Sequence, residues 1–182
     1  MIGVAARGAA ARVTLFVLLG AFARTVLPEP FGTAIFAAVL LVIWIRERPT
    51  QIGKTWPLAL SLLIGLICGA VLVLLVHSGF PVPIVRPEWF YGWAFAAATV
   101  AVLEELAIRG VLQPLWSAEV GALAAVVLGA LVFAVIHLPR YGLAALPLDF
   151  AVGLVLGGLR IASGRVLPAA VAHVVADLGA YL

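Results

Sequence analysis

Two adjacent carboxylates, Glu104 and Glu105, sit in an otherwise apolar stretch, FAAATVAVLEELAIRGVLQPLW, with Arg109 just beyond them. A carboxylate near the centre of a membrane span costs about 2.5–3.5 kcal/mol on insertion scales, so ionisable residues kept there serve a function by default. Helical spacing separates the two. Residues four apart share a face, and an acid preceding a base by four is the favourable order, so Glu105 is expected to pair with Arg109. Glu104 is turned about 100° away and faces a different neighbour. Two further apolar segments carry imidazoles: His137 follows Phe133 in LVFAVIHLP, and His173 precedes Asp177 in AAVAHVVADLGAYL. Asp177, one helical turn on, can orient the His173 ring and fix its tautomer, or the two can satisfy each other as an internal hydrogen bond in lipid.

A carboxylate and a histidine facing one water form a general base that drives hydrolysis. A second histidine with an adjacent polar group can donate to a tetrahedral oxyanion. The same residues, Glu104, His137, His173 and Asp177, form an alternative set for a zinc ion with an open coordination position. The sequence contains no H-E-x-x-H, no G-x-S-x-G, no P-loop and no dinucleotide fingerprint, which leaves the familiar zinc-protease, serine-hydrolase and nucleotide-binding classes without support.

Such residues need a scaffold, and composition says which kind. The chain has 182 residues, 65% hydrophobic and 10% charged, with a mean hydropathy of +1.25; a soluble domain is about half apolar and a quarter charged. The expectation is an all-α polytopic membrane protein: one transmembrane domain over residues 1–182, a bundle of about seven transmembrane helices, and an intramembrane active site. A crossing helix needs about 20 apolar residues. Spans are expected at Val13–Leu27, Phe31–Ile45, Pro57–His77, Trp89–Trp116, Ala122–Leu138, Leu143–Ile161 and Val166–Leu182, the first two forming a hairpin across LPEP. Arg7, Arg12 and the apolar run before Ala21-Phe22-Ala23 imitate a cleavable signal, but in a polytopic chain the reading is a retained first span.

The cations lie at span ends, where topology accounts for them, so the net charge of +3 implies no nucleic-acid partner. Lys and Arg mark the cytoplasmic side. A cytoplasmic N-terminus puts Arg7, Arg12, Arg46, Arg48, Lys54, Arg109, Arg160 and Arg165 inside and Arg24, Arg86 and Arg140 outside, with the C-terminus outside. Trp44, Trp56, Trp89, Trp93 and Trp116 are expected at the interfaces. Gly65/Gly69 and Gly153/Gly157 should let helices approach closely. Cys68 is the single cysteine and has no intrachain partner. His77 reads as interfacial, and Asp149 as facing water or capping a helix. Counted along the helices, Glu104 lies about 8 Å and His173 about 10 Å from the cytoplasmic face, whereas His137, counted from Ala122, falls toward the outer side.

In order, and each inside an apolar segment, Glu104-Glu105-x-x-x-Arg109-Gly110, Phe133-x-x-x-His137 and His173-x-x-x-Asp177 resemble the three motifs of the CPBP intramembrane proteases, the CAAX-protease and bacteriocin-processing (Abi) family, on its Rce1-like branch. The resemblance covers residues 89–177. It implies a helical membrane core in which Glu104 and His137 activate water, His173 and Asp177 form the oxyanion pocket, and Glu105 and Arg109 support Glu104. It favours a glutamate-type protease without cofactor over a zinc enzyme. The family usually carries Asn where this chain has Asp177. An amide donates hydrogen bonds while an ionised carboxylate only accepts them, so Asp177 must be protonated, orient His173 or ligate a metal. The implied partners are the bilayer and a membrane-anchored substrate cleaved near its C-terminus: a prenylated CAAX tail, a bacteriocin-like peptide or a C-terminal sorting tail. Site depth points to cytoplasmic access. The alternatives are a non-catalytic immunity or scaffold protein of the same fold and a small proton-coupled transporter.

Overall fold

Runs of Ala, Leu, Val and Ile separated by Pro- and Gly-bearing breaks leave the backbone one way to satisfy its polar groups in lipid, which is to coil into helices. The computed structural model describes residues 4–48, 54–79 and 88–181. Arg86 and Leu182, and the side chain of Arg7, lie outside the described residues. Among the described residues the chain is all-helical: α1 (Val4–Val26), α2 (Phe31–Glu47), α3 (Leu58–Gly79), α4 (Phe90–Ala107), a π-helical turn (Ile108–Leu112), α5 (Gln113–Val120), α6 (Ala122–Tyr141), a 3-10 turn (Leu143–Ala145), α7 (Leu146–Ser163) and α8 (Leu167–Gly179). Because α4, the π turn and α5 run on without a break, the described α-helices make seven rods.

The breaks have local causes. Gly121 ends α5 with φ +88°, a conformation that side-chain-bearing residues avoid. Gly164 closes α7 in the left-handed region, its N–H bonding the Arg160 carbonyl. Inside the long fourth rod, Pro114 has no N–H for the carbonyl of Gly110 one turn earlier. The ladder changes register there, and the Gln113 N–H bonds Ile108, five residues back. Such a π turn inserts one residue into a helix and is common at functional sites.

The molecule is polytopic and inside out relative to a soluble domain. Leu62, Leu63, Leu66 and Ile67 of α3 are exposed, while Glu104, Glu105, Arg109, Gln113, Arg160 and His173 are buried. Among the described residues, four helices are each long and apolar enough to cross a membrane: Gly8–Val26, Leu58–Ser78, Ala122–Tyr141 and Leu143–Ser163. Both small-residue pairs sit at close crossings. A Cβ on Gly65 would lie 2.8 Å from the Pro168 carbonyl oxygen and one on Gly69 2.5 Å from Val175 Cβ, in a parallel α3–α8 contact. A Cβ on Gly153 would lie 2.7 Å from Ala130 Cα and one on Gly157 3.0 Å from Val126, in an antiparallel α6–α7 contact. At the opposite end from the α1–α2 turn, the Trp56 N–H donates to the Ser163 carbonyl at 2.9 Å and Arg165 Nε to the Trp56 carbonyl at 2.8 Å.

Several sequence expectations change. The fourth rod runs to Val120 and the first helix starts at Val4. Trp116 is buried in the core, not interfacial. Arg109 and Arg160 are fully buried rather than loop cations, so they drop out of the positive-inside comparison; Arg7, Arg12, Arg46, Arg48, Lys54 and Arg165 still outnumber Arg24, Arg86 and Arg140.

Candidate active site

His137 is the clearest case of tertiary structure overruling a depth count. The fourth rod continues about 24 Å beyond Glu104 before it turns at Gly121. That turn is about equally far along the chain from Glu104 and from His137. An antiparallel hairpin brings residues equidistant from its turn to one level, so the two meet. Counting from Ala122 failed because the rod carrying Glu104 runs on to Val120 before the turn, so Ala122 does not start at the level taken for it.

The three rods converge on one carboxylate oxygen. Glu104 Oε2 lies 3.8 Å from His137 Nε2 and 3.8 Å from His173 Nε2. Each ring is held from behind. His137 Nδ1 donates to the Phe133 carbonyl at 2.8 Å, one turn earlier. His173 Nδ1 donates to Glu105 Oε1 at 3.0 Å. These partners fix the tautomers by the hydrogen bonds available and leave both Nε2 atoms facing Glu104. Phe133 also packs its ring against both imidazoles, with centroids 4.3 Å from His137 and 5.1 Å from His173.

Glu105 pairs with Arg109 at 2.9 Å, as the spacing requires. Its second role differs from the one the resemblance implied. The same Oε1 that accepts from Arg109 also accepts from His173, so the pair props His173 and not Glu104. Arg109 is locked in turn: Nη2 donates to the Gly153 carbonyl at 3.2 Å and the guanidinium lies 4.7 Å from the Phe133 ring centroid. One turn on, Gln113 Nε2 donates to the Gly157 carbonyl at 3.0 Å. Glycine serves twice at these positions, because a missing Cβ allows the helices to approach and opens the carbonyl to a side-chain donor. Arg160 Nε donates back to the Arg109 carbonyl at 2.9 Å.

Asp177 lies beside the cluster, with Oδ1 3.6 Å from His173 Nε2 and the side chain 30% exposed. It does not set the ring orientation, because Glu105 already holds Nδ1. Nor does it join the compact ligand set: among the described residues, the donor atoms of Glu104, His137 and His173 lie within 4.8 Å of one another.

Two cavities meet here. The larger, about 500 Å³, runs from Glu104, His137 and Asp177 along Val100, Ala97 and Trp93 to Arg24, Glu29 and Arg140. It reaches the surface at the α1–α2 turn, where Glu29 and Arg140 are exposed. The smaller, about 110 Å³, includes His173 and Asp149 and shares His137, Tyr141, Asp177 and Tyr181 with the first. Asp149 neither faces water nor caps its helix: it is 9% exposed, and α7 has no side-chain cap. Sequence reasoning missed it, along with the buried donors Gln113 and Arg160. The signal was available for Asp149, since an acid one turn into an apolar span carries the same cost that singled out Glu104. Gln113 and Arg160 had no comparable signal, because a residue near a span end can face water or the bundle interior.

A family model described as Type II CAAX prenyl endopeptidase Rce1-like matches residues 86–179, about half the chain and all three of these rods. Neither curated proteins nor solved structures gave a match.

Proposed function

The chain belongs to the Rce1-like family of type II CAAX prenyl endopeptidases, and from that premise we propose that it is a glutamate-type intramembrane endopeptidase. The observation that carries this reading is Glu104 Oε2 standing 3.8 Å from two imidazole nitrogens. Three such atoms leave room for one water hydrogen-bonded to all of them at about 2.8 Å. Glu104 takes a proton from that water as its oxygen attacks the scissile carbonyl carbon. His137 Nε2, with Nδ1–H tied to Phe133, accepts a hydrogen bond and orients the attack. His173 acts as an imidazolium balanced by Glu105, and its Nε2–H donates to the oxyanion. When the tetrahedral intermediate collapses, the C–N bond breaks and Glu104 returns the proton to the leaving amine.

Asp177, beside His173 Nε2, takes its place in this scheme as a protonated donor or as a second acceptor for the water.

The same donors also fit a zinc ion by type. Two anchored imidazoles and a carboxylate are a common catalytic ligand set, and such an ion would supply Lewis-acid polarisation and a more acidic water. A tetrahedral zinc set spaces its donor atoms by about 3.3 Å, so the 3.8 Å separations would have to contract. That difference favours the water. Purified protein with a fluorogenic membrane-anchored peptide should keep full turnover after prolonged chelation and show substoichiometric zinc by elemental analysis. Loss of turnover on chelation, restored by zinc, would replace the glutamate reading with the metal one.

The larger chamber also narrows the substrate. It opens at the α1–α2 turn, and the excess of loop cations at the other end supports reading that turn as extracytoplasmic. Depth alone pointed to the cytoplasm; the course of the cavity points the other way. A C-terminal sorting tail presented from outside therefore fits better than a cytoplasmic CAAX tail. In a Cys68→Ser background, a cysteine placed by Glu29→Cys should react with a membrane-impermeant maleimide added to intact cells. Labelling only after the cytoplasmic face is opened would reverse the orientation and restore the CAAX tail.

A further inference from the structure

The smaller chamber reaches His173 but not Glu104. Its wall beyond the shared residues is mainly apolar, with Val76, Leu148 and Val152, apart from His173, whose charge Glu105 balances, and Asp149. Asp149 lies in that wall, 9% exposed, and its Oδ2 has no hydrogen-bond partner. A buried acceptor left unmade is destabilising, and more so when charged. The helix does not relieve it, since α7 shows no side-chain cap at its N-terminus. An occupant that brings a donor would.

We propose that this chamber is a specificity pocket that receives a lysine side chain of the substrate beside the scissile bond, with Asp149 as its counter-charge. This rests on the endopeptidase reading above. Size excludes a lipid chain: at about 110 Å³ the chamber is smaller than an engineered cavity of about 150 Å³ that takes one benzene ring. The apolar wall suits the methylene stem of a basic side chain, and the Asp149 carboxylate suits its tip. Asp177, in the same wall, offers further acceptor oxygens. A neutral apolar side chain would fill the space and leave Asp149 unpaired. A site built to bond a polar group rejects the analogue that lacks it more strongly than size alone can.

The test uses the purified full-length protein and a library of fluorogenic peptides with a C-terminal apolar anchor, carrying Lys, Met or Glu at each position flanking the scissile bond. At one position kcat/KM for Lys should exceed that for Met by at least about tenfold. In Asp149→Asn the Lys/Met ratio should fall toward one, whatever the overall rate, and Val152→Phe should lower Lys and Met alike while sparing a peptide with Ala there. Thermal melts establish that both variants fold. Cleavage by the parent with no Lys preference at any position overturns this inference and leaves the protease reading standing, as does a Lys/Met ratio that survives in Asp149→Asn. No cleavage of any peptide in the library sinks both.

Discussion

Replacing Glu104 by Gln lowers turnover by about 10²–10⁴-fold and leaves the fold intact. Glutamine keeps the size and polarity of the side chain but cannot take the proton of the attacking water. Among the described residues no ion pair of the Glu104 side chain is shorter than 3.8 Å, and its two histidine partners are each anchored through the other ring nitrogen, so removing this charge breaks no tight bond. A melting temperature equal to or above the parent's is expected, since a buried carboxylate carries its own desolvation cost. The measurements are kcat on a cleavable anchored peptide and a thermal melt in the same detergent. A Glu104→Gln protein with parental activity would remove Glu104 from the mechanism; one that no longer folds would make it a structural charge.

The second large effect concerns the pair behind His173. Arg109→Leu should destabilise the protein by about 3–5 kcal/mol, because it removes one partner of a buried, hydrogen-bonded ion pair and leaves Glu105 with His173 alone. Adding Glu105→Leu should recover most of that loss, since replacing both members of a buried pair by apolar groups is often close to neutral. Activity should not recover with it. In the double variant His173 Nδ1 has lost its acceptor, and an unoriented ring costs about 10–100-fold where such partners have been removed elsewhere. A melt that recovers while kcat stays low assigns the pair a positioning role. A double variant that recovers both would make it a stabilising ion pair alone.

The residues with chemistry were visible in the chain because lipid makes each of them expensive. Glu104, Glu105, Arg109, His137, His173 and Asp177 stand out of apolar segments by cost and by type, and i,i+4 spacing was enough to pair Glu105 with Arg109. Where spacing was used to place a residue relative to another helix, it held for Glu104 and His173, whose counted depths agree and which meet at 3.8 Å, and failed for His137. Asp177 is one turn from His173 and was a natural choice for orienting its ring, yet Glu105, far away in sequence, holds Nδ1 at 3.0 Å. His137 was misplaced because the rod before it is longer than a span and carries a π turn. Asp149 was set aside as a span-end acid because its helix starts just before it, and nothing local says that this end of α7 is covered.

Hydropathy and periodicity are properties of a segment. They determined that this chain is helical, that it lives in a membrane, where its rods begin and end to within a turn or so except at the start of the first, and which polar groups the bilayer would not tolerate without a use. Whether an acid one turn away or one on another rod reaches an imidazole first depends on how the rods cross. That is settled by contacts such as Gly153 against Ala130 and Gly69 against Val175, between residues distant in the chain. Those crossings placed Glu105 behind His173, set two imidazole nitrogens about one oxygen of Glu104, and opened the chamber toward the α1–α2 turn. No single segment contains that information, because each crossing is a relation between two of them.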